Sequence, residues 1–194
     1  MDTSTAARTE RRRAVVRGEV LDAAWTLARE GGVAAVSVKN VAARMGIKPP
    51  SLYEYVPNLH GLFDLMFKSG WQQLLDEVTS LRSAGTDVGS AFRRVLGFCV
   101  EDPARFQLML QRPVPGFIPS DDAFAVAQAA YDTIRSGLGD FGITRQADVD
   151  LIDSMLLGLA GNQIANDPGG SRFVDLDDEA IDLLVGYAER RTSS

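Results

Sequence analysis

The chain has 194 residues, a formal net charge of −6, 45% hydrophobic and 24% charged residues. That length supports a sizeable core in one or two domains, and the composition excludes a disordered chain. No apolar run approaches the roughly 20 residues of a membrane span, and the polar, Arg-rich N-terminus gives no expectation of a secretory signal.

Met1 to Ala7 is small and polar and is expected to fray. Arg8, Arg11, Arg12 and Arg13 follow, either as a solvated tail or as contacts to phosphates or a minor groove. A first helix is predicted from about Arg13 to Arg29, with Val16, Val20, Ala23, Leu27 and Ala28 on one stripe, and Gly31-Gly32 ends it.

Ser37 can cap a short helix by accepting from its first turn. Val38, Val41, Ala42 and Met45 then give that helix one apolar face. Gly46 suits the positive φ that follows a helix end, and Ile47 is the apolar residue expected after it. Pro50 fits the first position of a second helix, because its missing N–H is not needed there. Leu52 and Val56 would pin this second helix to a core, Pro57 stops it, and Asn58 can cap a third. Two short helices joined by a Gly turn form a helix-turn-helix. With Leu52 and Val56 inward, Pro50, Ser51, Tyr53 and Tyr55 join Lys39 and Lys48 in a polar, aromatic, basic surface of the size that enters a major groove. The same residues also fit an αα-hairpin with half-buried tyrosines, so spacing alone leaves both readings open.

A long helix from Leu59 to about Leu81 carries Leu62, Phe63, Leu65, Met66, Phe67, Trp71, Leu74, Leu75 and Val78. Its 62–67 segment is apolar nearly all round and should be buried on more than one side. The domain seam is placed near Asn58, giving domains 1–58 and 59–194. Ser80 to Gly89 forms a short loop. A helix from about Asp87 to Val100 shows Val88, Phe92, Val95, Leu96 and Cys99. Asp102 then caps a helix with Pro103 first, which carries Phe106, Met109 and Leu110 before Pro113. Pro113 to Pro119 is apolar and too stiff for a flexible linker.

Ser120, Asp121 and Asp122 open a helix with Phe124, Ala127, Tyr131, Ile134 and Leu138. Thr144 opens the next, with Val149, Ile152, Leu156, Leu159 and Gln163, and Asn166 to Gly170 breaks it. Asp177, Asp178 and Glu179 start a last helix with Ile181, Leu184, Val185 and Ala188, closing on Arg190 and Arg191, which suit its dipole. Neither strand nor repeat is expected, so the fold class is all-α with about nine helices.

Charge is unevenly spread. Residues 1–60 hold nine Lys and Arg against six Asp and Glu, net +3, and residues 61–194 hold eleven against twenty, net −9. A basic head on an acidic body is the electrostatic footprint of a DNA reader. Catalytic chemistry has little to draw on. The one His and one Cys come without metal-ligand spacing, a phosphate-cradling Gly loop or a G-x-S-x-G elbow, so neither an enzyme nor a cofactor is expected. Cys99, in an apolar run, reads as a core residue, and a lone thiol agrees with a cytoplasmic home.

The run Ser37-Val38-Lys39-Asn40-Val41-Ala42, Gly46-Ile47-Lys48, Leu52-Tyr53-Glu54-Tyr55-Val56, Asn58 and Leu62 resembles the DNA-binding domain of the tetracycline-repressor (TetR-like) family of bacterial transcription regulators. The likeness covers about the first third of the chain; beyond it only length and helical layout agree. It implies an N-terminal helix-turn-helix followed by a C-terminal effector-binding and dimerisation domain. It also implies DNA contacts from Arg17, Ser37, Lys39, Lys48, Pro49, Pro50, Ser51, Tyr53, Tyr55 and Asn58. One departure stands out: Leu59 occupies the position where the family usually has a phosphate-contacting Lys, leaving Asn58, His60 or a backbone amide for that contact.

In the body, Phe98, Phe106, Met109, Phe117, Phe124, Tyr131 and Met155 are either core or the lining of a cavity. Gln107, Arg112, Asn162 and Gln163 are the polar groups that would orient a molecule in it. The resemblance implies such a pocket and a small, mostly apolar effector. Gly158, Ala160, Gly161 and Ala165 let a partner helix come close, within the chain or across a two-fold axis. The expected function is a homodimeric repressor released from a palindromic operator by its effector. The competing reading is a helical small-molecule carrier or protein-binding module without specific DNA binding.

Overall fold

The computed structural model describes residues 3–192, with the side chains of 3–6, 185 and 187–192 left out. Val185, Ala188, Arg190 and Arg191 of the last predicted helix are therefore outside the described side chains. Helix α1 (Thr3–Gly31) starts well before Arg13, because the Ala- and Arg-rich lead favours helix and holds neither Gly nor Pro. It buries Val20, Ala24, Trp25 and Ala28. After a 3₁₀ turn (Val33–Ala35), α2 (Val38–Arg44) and α3 (Pro49–Leu52) form the short pair. The second helix is shorter than expected and one residue earlier. Lys48 precedes its first turn and Pro49 takes the first position with Pro50 second, and both prolines tolerate an N-terminal turn that uses no N–H of theirs.

Helices α4 (Leu59–Ser83), α5 (Val88–Glu101), α6 (Pro103–Leu110) and α7 (Asp121–Asp140) follow, then α8 (Gln146–Asn166) and α9 (Asp177–Thr192). Among the described residues there is no strand. Asp87 caps α5 by accepting from the Ser90 backbone N–H at 2.9 Å. The α8 start differs from expectation: Arg145, not Thr144, precedes its first turn.

Packing gives two compact units, Met1–Gly70 with Ala104–Phe124, and Trp71–Pro103 with Ala125–Ser194. This division departs from the seam drawn after Asn58, and the reason is the core. Leu62, Phe63 and Met66 of α4 and Leu108 of α6 share one buried cluster with Val20, Trp25, Val41, Leu52 and Val56. In this unit α4 and α6 approach so closely at Gly70 that an added Cβ would lie 2.7 Å from Met109 Sδ.

In the second unit α5 packs on α8, and the rings of Trp71 and Tyr131 lie 5.1 Å apart. Arg93 of α5 pairs with Asp177 at 2.6 Å and also with Asp178, at the start of α9. Cys99 is buried, as a core residue should be.

Candidate nucleic-acid interface

Helix α2 is closed at both ends. Ser37 Oγ accepts from the Asn40 N–H at 3.1 Å, and the Asn40 amide donates to the Ala35 carbonyl at 2.8 Å. At the far end Gly46 has φ 68°. Its N–H donates to the Ala43 carbonyl at 3.1 Å and the Ile47 N–H to the Ala42 carbonyl at 3.0 Å. Those two bonds make a Schellman turn, whose positive φ is cheap only for Gly. Arg44, at the end of α2, donates from Nη1 to Glu30 of α1 at 3.0 Å. That tie across fourteen residues was not legible beforehand, since neither residue belongs to a local pattern.

Above this frame, Leu52 and Val56 are 0% exposed while Tyr53 is 52% exposed. Lys39, Lys48, Pro49, Pro50 and Ser51 are also exposed. Tyr55 is half-buried against the same core, so its ring packs as well as presenting an edge. Asn58 is exposed, and its Oδ1 accepts from the Gly61 N–H at 2.9 Å, which leaves its NH₂ to donate elsewhere. Arg17 is exposed on α1, 3.9 Å from Glu10. Leu59 is 36% exposed and His60 beside it is exposed.

The residues expected around an effector fall into both compact units. Phe106, Met109, Phe117 and Phe124 belong to the first, and Phe98, Tyr131, Met155 and Asn162 to the second. Phe98, Phe106 and Met109 are buried, and Phe117 and Met155 are half-buried. Phe124 is 58% exposed. Asn162 is exposed and donates to the Gly158 carbonyl at 2.8 Å.

Gln163 is buried and organises the loop before α9. Its Oε1 accepts from the Phe173 and Val174 N–H groups at 2.8 and 3.2 Å, and its amide donates to Asp167. Tyr131 touches Trp71, and its hydroxyl pKa is pushed up to about 12, by burial first and then by Asp153 and Cys99. Burial, with Asp150 adding, also raises Asp153. Among the described residues no cluster of His, Cys, Asp and Glu could hold a metal, and no helix is long and apolar enough to cross a membrane.

Residues 20–66, which hold the whole turn and both short helices, match the family model for bacterial regulatory proteins of the tetR family. That segment is similar to the DNA-binding part of the TetR-like regulators. The chain is 32% identical over 126 residues to the HTH-type transcriptional regulator Mb1846 of Mycobacterium bovis, covering 58% of this chain and 54% of that one. The same figures hold for Rv1816 of Mycobacterium tuberculosis. The chain spans about half the length of those relatives.

Its fold is that of the solved regulatory protein SCO4313, with a TM-score of 0.78 and 23% identity over 91% of this chain and 98% of that one. It also shares the fold of the transcriptional regulator FadR from Bacillus subtilis, solved in complex with stearoyl-CoA. That likeness has a TM-score of 0.69 and 15% identity, over 86% of this chain and 96% of that one.

Proposed function

We propose that this chain is a DNA-binding transcriptional repressor, acting as a homodimer on a palindromic operator in the cytoplasm, without a catalytic role. The observation that carries the reading is the outward Tyr53 on a turn pinned by the fully buried Leu52 and Val56. In this reading Tyr53, Tyr55, Ser51 and Lys39 meet base edges or thymine methyls, with Pro49 and Pro50 against the groove wall. Lys48, Arg17, Ser37 and Asn58 hold phosphates. Residues 1–58 carry the reading head, packed on the first turns of α4 and on α6, and residues 59–194 also serve dimerisation and effector binding.

One short helix reads only a few base pairs, so two heads about 34–36 Å apart are needed for a specific site. The dimer surface is assigned to α8 and α9. There Leu151 and Leu183 are 43% and 63% exposed, and Gly158 has open space around it, as an unpaired helix face would. The effector is assigned as small and mostly apolar. Support comes from the apolar composition of the candidate residues in each unit, Phe106, Met109 and Phe117 in the first and Phe98, Tyr131 and Met155 in the second, and from a structural neighbour solved in complex with stearoyl-CoA. Shifting the DNA-competent fraction from 99:1 to 1:99 needs a preference of about 10⁴-fold, roughly 5.5 kcal/mol.

Footprinting of a few hundred base pairs around the chain's own gene tests this directly. A protected palindrome whose affinity falls steeply with salt supports the reading. No specific site at low salt would leave the carrier or protein-binding reading in its place.

A further inference from the structure

The first two turns of α4 present His60, Phe63, Asp64 and Phe67 on one stripe, at i, i+3, i+4 and i+7. A single stretch of chain grips that stripe. The ring of Phe117 lies 6.1 Å from His60, 6.0 Å from Phe63 and 6.2 Å from Phe67, centroid to centroid. Three residues on, Ser120 donates twice to one carboxylate. Its backbone N–H reaches Asp64 Oδ1 at 2.7 Å and its hydroxyl reaches Oδ2 at 2.8 Å. The same hydroxyl oxygen accepts from the Ala123 N–H at 3.2 Å, so Ser120 also caps α7. Pro113, Pro115 and Pro119 stiffen the segment that carries Phe117 and Ser120.

The two kinds of contact do different work. Ring packing is non-directional and tolerates sliding, whereas a carboxylate accepting two hydrogen bonds fixes register and angle. The gripped stripe begins two residues after Asn58, the cap of α4, and so at the base of the Tyr53 surface. We propose that Asp64 is a positioning residue for DNA reading. Its paired bonds to Ser120 fix the first turns of α4 beneath the reading pair within the same compact unit, and so the pose in which each head meets its half-site. This rests on the repressor reading above, and a different outcome tests each.

The experiment uses the full chain and its footprinted operator, with synthetic duplexes in which the half-site spacing is changed by one base pair either way. Affinities for these and for random DNA are measured alongside thermal midpoints. The proteins are wild type, Asp64→Ala, Asp64→Asn, Ser120→Ala and the Asp64→Ala/Ser120→Ala double variant. Wild type should prefer the native spacing. Asp64→Ala should lose about tenfold of that preference, the scale of one charge-assisted hydrogen bond, with random-DNA affinity unchanged. Ser120→Ala should lose less, since its backbone N–H remains, and the double variant should match Asp64→Ala alone.

Undiminished spacing preference in Asp64→Ala overturns the inference. So does an equal loss on every duplex that tracks the thermal midpoint, which marks a merely structural bond. Should Asp64→Ala fail to fold, Asp64→Asn and Ser120→Ala carry the same comparison. A wild-type chain that protects no site overturns the repressor reading, and this inference with it.

Discussion

Arg94 clasps Glu77 with two parallel hydrogen bonds, Nε to Oε1 at 2.8 Å and Nη2 to Oε2 at 3.0 Å, while Nη1 reaches Glu101 at 2.8 Å. The clasp locks α5 against the distal half of α4, and it raises the Arg94 pKa, chiefly through the bond to Glu77. A guanidinium is charged at any working pH, so this contribution does not titrate near neutrality. The pair is partly open to solvent, with side chains 38% and 26% exposed, so its net coupling is modest. A double-mutant cycle of Arg94→Ala and Glu77→Ala, followed by urea melts, should return a coupling of about 1 kcal/mol.

Gly46 isolates a backbone effect. An added Cβ would meet no atom within 4 Å, yet the residue sits at φ 68°. Gly46→Ala should therefore destabilise the chain by about 1 kcal/mol through conformation alone. Gly46→Asn should cost less, because Asn tolerates the left-handed region. Thermal midpoints of the two variants check the order.

In the proposed reading Lys48 meets phosphate and Tyr53 meets bases. Both are exposed, so Lys48→Ala and Tyr53→Ala should leave thermal stability within about 0.5 kcal/mol of wild type. On the operator, Lys48→Ala should weaken all sequences evenly and reduce the salt slope by about 1. Tyr53→Ala should instead blunt discrimination among bases at fixed salt slope. Titrations over a salt series distinguish the two patterns. A variant that unfolds would show its side chain to be structural.

Asp153 gives a pH prediction of definite sign. Burial, then Asp150, raises its folded pKa above the ordinary 3.8. The folded state therefore holds its proton more tightly than the unfolded chain does. Stability from this group is complete below the unfolded value and is lost as pH climbs through the folded one. Asp153→Asn mimics the protonated form, so at pH 7 it should melt higher than wild type, and the gap should close below about pH 4. Melting curves across that range decide it. The same substitution removes a charge that holds Tyr131 up, so the hydroxyl should titrate at lower pH by ultraviolet absorbance.

The helix-turn-helix was readable because its signals are local. Ser37, Gly46, Leu52, Val56 and Asn58 each act within a few residues of themselves, and cap, positive φ and buried anchors all occur where their chemistry demands. The shift of the second short helix to Pro49 is a small miss of the same kind, since either proline satisfies a first turn. Body contacts were less readable. Gln163 looked like a polar group for a ligand and instead braces its own loop, because the groups it satisfies lie ten residues away beyond a turn.

Sequence alone determined the all-α class, the place of the turn and the basic head on an acidic body. These follow from periodicity, capping and charge, which are written within a helix length. Tertiary structure alone decided that α4 shares its first turns with the core of α1 and α2, that Ser120 grips Asp64 across fifty-six positions, and that Arg44 ties α2 to α1. Such pairings depend on how separate helices meet, and no spacing along the chain encodes which of many compatible partners a side chain will reach.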